Sequence, residues 1–224
     1  GDPFQLPPIG EDNEVLQNPH IFLDEIMRQE EDNEIIRLTM DIRNGKSLPL
    51  YKGNDVMIVR AGDMDPGMYL WADQIIVGKN DTRRSINSQM RQVLFDVEDE
   101  KPIEGDKVIC LRNSWETINE VGDVLVNGLS GTISNINYNN YNPFLKPMML
   151  ADFIPDDYDE LDEEFSFGDL YFRQLNIDYK LLTTGEPTVN EKNFKRFPKG
   201  VKPLTFDYGY CITCHKSQGS EYDK

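Results

Sequence analysis

A chain of 224 residues has room for one full domain and a smaller insert, and 38% hydrophobic residues with 10% aromatics exclude a disordered chain. A formal net charge of −17 is unlike that of a protein that coats duplex DNA through a basic surface. No apolar run of about 18 residues occurs, so no membrane association is expected, and Gly1-Asp2-Pro3 has neither the basic flank nor the apolar stretch of a signal peptide.

Residues 1–22 read as a connector, because Pro3, Pro7 and Pro8 interrupt regular structure. Phe22-Leu23 starts a short strand or turn that positions Arg28. Residues 31–44 predict a helix capped by Asp32 or Asn33 and stopped at Asn44-Gly45. Ile35, Leu38, Thr39 and Ile42 recur at helical spacing and predict its buried face. Strands are expected at 56–59 and 73–77. Asn80 or Asp81 then caps a helix running to about Phe95, with an apolar stripe of Ile86, Met90, Val93 and Leu94. Its opposite face carries Arg83, Arg84, Asn87, Gln89 and Arg91. Strand, cap and helix make a βα unit of a parallel sheet.

Beyond residue 103 the pattern changes to short strands with turns between them, at 108–111, 124–126, 132–138 and 148–153. Asn127-Gly128 favours a tight hairpin. This predicts a small antiparallel barrel over 103–203. Trp115 and the 138–141 aromatics belong either to its core and rim or to a base-stacking surface. From Asp152 to Glu164 eight acids occur without a Lys or Arg, which reads as a solvated acidic loop. From Lys192 to Lys202 the charge reverses, with Phe194 and Phe197 among the cations, as a basic surface loop or a strand-tracking segment would have.

The cysteines, at 110, 211 and 214, are odd in number and form no framework, so a reducing, cytoplasmic location is expected. Cys211 and Cys214 have the spacing of a metal or redox half-site. On a single strand they would lie on opposite faces, and no second pair completes a tetrahedral set, so no metal is expected.

The apolar, aromatic run from Tyr208 reads as a buried strand that then breaks into Thr213, His215, Lys216, Ser217, Gln218, Gly219 and Ser220. A strand that ends in such a loop is how open α/β sheets present phosphate sites. At the other terminus lies Gly1-Asp2-Pro3-Phe4-Gln5-Leu6-Pro7-Pro8-Ile9, a second polar loop.

Together these two stretches resemble motifs III and V of superfamily 1 DNA helicases, with the closer match to the RecD/Dda-like branch. Leu23-Asp24-Glu25-Ile26-Met27-Arg28-Gln29 looks like motif IV, and residues 75–91 are similar to the segment that follows it. Val126-Asn127-Gly128-Leu129-Ser130-Gly131-Thr132-Ile133 is similar to a hairpin of the family's inserted SH3-like barrel. The resemblance implies an α/β fold: a RecA-like parallel sheet domain over 23–102 plus 204–224, interrupted by that barrel at 103–203.

The resemblance also implies roles. Gln5 would sense the γ-phosphate or the attacking water, since an amide can donate to one and accept from the other. Arg28 would be an arginine finger, where its ordinary alternative is a surface pair with Glu30 or Glu31. Gly1, Asp2, Gln5, Arg28, Gly219 and Glu221 would face the nucleotide. Thr213, His215, Lys216, Ser217, Gln218, Asn87 and Arg91 would hold single-stranded DNA without reading bases. The branch implies movement from 5′ to 3′.

No Gly-x-x-x-x-Gly-Lys-Ser/Thr loop occurs. The chain therefore reads as the carboxyl-terminal half of a helicase. ATP and Mg2+ would be cofactors of the parent protein with its missing amino-terminal motor domain, and the fragment alone is expected to be inactive, with neither bound. A non-catalytic protein-interaction module is the alternative reading.

Overall fold

Asn33 opens the first helix of the computed structural model, which describes residues 6, 33–65, 67–98, 100–138, 148–156, 166–188, 202–218, 220 and 222. The chain divides into two units, Gly1–Met68 and Tyr69–Lys224.

In the first unit, the Asn33 carboxamide oxygen accepts the N–H groups of Ile35 and Ile36 at 2.8 and 3.3 Å, settling the cap in favour of Asn33. Helix α1 (Glu34–Arg43) ends at Asn44, and Gly45 follows at φ +72°. The hairpin β1 (Tyr51–Lys52) and β2 (Met57–Ile58) is antiparallel. Glu34 ties the helix to it, accepting the Tyr51 hydroxyl at 2.8 Å and the Asp55 N–H at 3.1 Å, and these bonds hold its carboxyl below the usual range. The expected buried stripe is not buried: Ile35 and Ile42 are exposed. A short helix, α2 (Gly67–Trp71), lies at the boundary.

The second unit begins with β3 (Ile75–Val77) and α3 (Asn80–Phe95). Lys79 holds the N-cap position of α3 without a side-chain bond, and Asn80 instead accepts from Arg83 Nε at 3.3 Å. There follow β4 (Lys107–Cys110), β5 (Ser114–Ile118), β6 (Val124–Leu125), β7 (Ser130–Asn137), β8 (Met149–Pro155) and β9 (Phe172–Ile177). Helix α4 (Tyr179–Thr184), β10 (Phe206–Tyr208), β11 (Cys211–Thr213) and α5 (Cys214–Ser217) complete the unit. The periodicity of the sequence did not reveal β5, β9 or α4.

Five strands form one antiparallel sheet in the order β10-β4-β7-β8-β9. Its apolar side is the core: Val108, Ile133, Met149, Phe153, Ile177 and Phe206 are fully buried, and the Phe153 ring lies 5.2 Å from that of Phe206. A lone parallel bridge, Ile177 to Leu204, joins the β9 edge to the residues entering β10. One bridge is not a ladder, so the expected barrel does not close among the described residues. The expected parallel sheet is also smaller there: β11 pairs with β3 alone, with Cys211 opposite Ile75 and Thr213 opposite Val77.

The antiparallel sheet carries two irregularities with an identifiable cause. Its ladders shift register beside Ser134 in β7 and Ala151 in β8, and Asn135 and Gln174 adopt φ +51° and +53°. Asp152 holds both: one carboxylate oxygen accepts the Gln174 N–H at 2.7 Å, the other the Asn135 amide at 3.2 Å. Asp152 is thus buried rather than part of a solvated acidic run.

Candidate functional site

The stretch from Tyr208 expected as one strand does not belong to a single strand. Phe206–Tyr208 pairs antiparallel with β4, whereas Cys211–Thr213 pairs parallel with β3. The break falls at Gly209, where a Cβ would lie 3.1 Å from the Val108 carbonyl carbon, closer than ordinary van der Waals contact. A strand that leaves one sheet for another carries backbone groups through the interior with no ladder partner, and each needs a donor or acceptor. Gln74 donates its amide to the Gly209 and Tyr210 carbonyls at 3.1 and 3.2 Å. Asn87 donates to the Tyr208 and Cys211 carbonyls at 3.2 and 3.1 Å, and accepts the Cys211 N–H at 2.7 Å.

The same requirement turns part of the expected polar face of α3 inward, beside Met90 and the core-packed Ile86 of the expected apolar stripe. Arg83, Asn87, Met90 and Arg91 are its buried residues, and Val93 is 64% exposed. Arg83 pairs with Asp207 at 2.5 Å. Arg91 pairs with Asp106 at 2.8 Å, donates to the Lys101 carbonyl at 2.6 Å and covers the Tyr208 ring. Asn87 and Arg91 were expected to touch DNA from an open polar face. They are only 2% and 3% exposed, and their bonds go to protein groups.

At the carboxyl end of β11 the chain turns directly into α5. Cys214 reaches the Val77 carbonyl through its thiol at 3.5 Å, and the Ser217 hydroxyl donates to the Cys214 carbonyl at 3.0 Å. His215 and Gln218 are exposed, while Thr213, Lys216 and Ser217 are half-buried. Lys216 Nζ donates to Asn127 Oδ1 at 2.6 Å, so the turn meets the Asn-Gly turn between β6 and β7, which is not the expected hairpin, because β6 pairs with β5 and β7 with β4 and β8. Burial draws the Lys216 ammonium below its usual value, opposed by Cys110 and Asp207. Five predicted residues therefore share one turn. Gly1, Asp2, Gln5, Arg28, Gly219 and Glu221 lie outside the described residues, as do the motif IV-like stretch and the basic segment apart from Lys202.

No protein-family model matches the chain, and no curated protein matches it. Among solved structures it is similar to the crystal structure of Pif1 helicase from Candida albicans, at 16% identity and a TM-score of 0.40. The match covers 89% of this chain and 48% of that one, so this chain spans about half of that chain's length. So distant a likeness assigns no activity.

Several further features bound the site's chemistry. Cys211 begins β11 and Cys214 begins α5, so the pair does not straddle one strand. Burial pushes the Cys110 and Cys211 thiols up to about 11. Among the described residues no cluster of three metal-binding side chains forms, and no helix is long and apolar enough to cross a membrane. Trp115, weighed between core and surface, is 69% exposed on β5. Sequence reasoning missed Gln74, Asp106, Asn113 and Asn127; only Asn127 carried a signal, read as turn-forming and as part of the stretch similar to the SH3-like hairpin.

A cavity of about 260 Å3 lies between α3, α4 and β10 and is lined by Arg83, Arg84, Arg91, Asp207, Thr184 and Gly185 among others, with no residue of the turn. Two of its arginines are paired with carboxylates, and the Thr183 and Thr184 hydroxyls donate to the Lys180 carbonyl. Burial raises the Asp207 carboxyl above its usual range, opposed by Arg83.

Tyr208 and Tyr210 give a pH prediction. Burial raises both phenols, and Asp106 raises them further. An unfolded phenol titrates near about 10. Their contribution to stability is therefore intact below about pH 10 and is lost as pH rises above it, because the unfolded chain releases these protons first. In an alkaline titration followed by tyrosinate absorbance and circular dichroism, the last phenols should ionise together with loss of structure. Tyr208→Phe should remove part of that late absorbance. Full ionisation with a native dichroism spectrum would contradict the assignment.

Proposed function

We propose that this chain is the carboxyl-terminal part of an ATP-dependent DNA helicase and that the turn after β11 grips single-stranded DNA. The observation that carries this reading is the placing of Thr213, His215, Lys216, Ser217 and Gln218 at the carboxyl end of a strand in a parallel pair, with His215 exposed and the Lys216 ammonium beside it. These groups suit phosphates: hydroxyls, amides and a cation hold a backbone without reading its bases. Exposed Trp115 suits base stacking, worth about 1–3 kcal/mol per base.

In this reading the nucleotide sits between this chain and an amino-terminal motor domain that supplies the phosphate loop and Mg2+. Gln5 and Arg28 register the γ-phosphate from this side, with Gly1, Asp2, Gly219 and Glu221 around it, so that closure of the domains moves the turn and its strand. The RecD/Dda-like resemblance gives the direction as 5′ to 3′ and supports an SH3-like module for the antiparallel sheet. The buried amide of Asn87 and the Arg91–Asp106 pair act as positioning groups beneath the turn.

Fluorescence anisotropy with a labelled oligothymidylate tests the strand-binding step. Near about 50 mM salt the chain should bind, and Lys216→Ala should weaken binding about tenfold. The salt dependence of log K should become shallower by about 0.7, the share of one phosphate contact on a single strand. A wild-type chain that does not bind the oligonucleotide would sink the reading.

A further inference from the structure

Lys216 is a cation with an unusual partner. It is half-buried, and among the described residues no carboxylate reaches ion-pair distance. Its hydrogen bond goes to a neutral group, the Asn127 side chain, at 2.6 Å. A partly desolvated charge held by a neutral dipole gains more from an arriving anion than a fully hydrated lysine does.

Elementary chemistry orients the Asn127 amide. An ammonium can only donate, so Oδ1 faces Lys216 and the Nδ2 group, with two N–H donors, points the other way. Asn127 is exposed. The ammonium uses one of its three donors on Asn127.

The turn that carries Asn127 is braced. Its own N–H is held by Asn113 Oδ1 at 2.8 Å, and the N–H of Gly128 by the Cys110 carbonyl at 2.8 Å. Gly128 adopts φ +94°, which a glycine accepts without strain. Asn113 thus fixes the backbone from which Asn127 reaches Lys216.

We propose that Asn127 is a second strand contact, its Nδ2 group and the Lys216 ammonium together gripping one phosphodiester. This rests on the strand-binding reading above and deepens it, because the antiparallel sheet and the β11 turn would then hold the same phosphate. Neither donor reads a base, so the grip is independent of sequence. The residue type also matters. An aspartate at 127 would neutralise Lys216 internally and repel the phosphate.

The test uses the same chain and a labelled oligothymidylate, across a salt series. Asn127→Ala should weaken binding about threefold. Asn127→Asp should weaken it about tenfold and flatten the salt dependence by about 0.7, as Lys216→Ala does. Asn127→Ala combined with Lys216→Ala should bind about as weakly as Lys216→Ala alone, since both changes remove one shared contact. Wild-type affinity and slope in both Asn127 variants would overturn the proposal while leaving the strand-binding reading intact. So would fully additive losses in the double variant. A wild-type chain without affinity for the oligonucleotide would remove both. Position 127 is an exposed turn residue at a φ that is not positive, so the variants are expected to fold, and matching thermal melts would show it.

Discussion

Asp106→Ala is expected to destabilise the second unit by about 3–5 kcal/mol, the range for a buried ion pair that loses one partner. Asp106 is fully buried. Its carboxylate accepts Arg91 Nε at 2.8 Å, the Tyr210 hydroxyl at 3.0 Å and the Ile103 N–H at 2.7 Å. Alanine would strand the Arg91 guanidinium without a carboxylate and leave a main-chain donor without its acceptor. Urea unfolding should show a lower midpoint with an unchanged slope.

Arg91→Ala should cost a similar amount, because it strands the opposite charge. Asp106→Leu combined with Arg91→Met should recover much of the loss, because two apolar groups bury no unpaired charge. A change below about 1 kcal/mol in Asp106→Ala would place the pair in contact with water and refute the argument. The effect should reach the functional turn as well, since Tyr210 stands next to Cys211, the first residue of β11.

Asn87→Leu is the second large effect, expected at about 3 kcal/mol from three interior backbone groups left short of a partner. Leucine nearly matches asparagine in shape, so the change tests hydrogen bonding rather than volume. The Cys211 N–H and the carbonyls of Tyr208 and Cys211 would each lose a bond. Asn87→Asp should not rescue, because a carboxylate accepts the N–H but cannot donate to the carbonyls. Amide hydrogen exchange reads the result locally: protection at Cys211 should fall by more than at Val108, inside the antiparallel sheet. An unchanged exchange rate at Cys211 would refute the role. In the oligonucleotide assay the variant should bind more weakly while keeping the wild-type salt slope, which separates a positioning residue from a phosphate contact.

How much could be read from residues alone varied with the range of the forces involved. The α1 cap at Asn33, its Gly45 stop and the span of α3 were legible, because they depend on neighbours within a turn of helix. The strand-to-loop change after Thr213 was legible for the same reason. The barrel was only partly legible. Short strands separated by turns specify antiparallel pairing, though not that the strands flanking Asn127-Gly128 stay apart, and closure depends on where the edges meet, which among the described residues is the Ile177–Leu204 bridge. Asp152 looked like one acid in a charged run, yet it anchors two positive-φ residues on neighbouring strands.

By itself, then, the sequence determined the local pieces: helix ends, turn types, and a hydroxylic and cationic cluster after an apolar strand. Tertiary structure decided which way those pieces face. Helical periodicity assumes that the apolar side turns inward; in α3 Met90 and Ile86 do so, but Val93 and Leu94 stay exposed while Arg83, Asn87 and Arg91 are buried. Its polar residues turn inward because a carboxylate and the broken strand at Gly209 leave groups in the interior that only side-chain donors and acceptors can satisfy. Those groups stand 15 residues from Arg91, in Asp106, and 124 residues from Asn87, in Cys211. No window of neighbouring residues contains both a need and its answer; only the crossing of the folded chain brings them together.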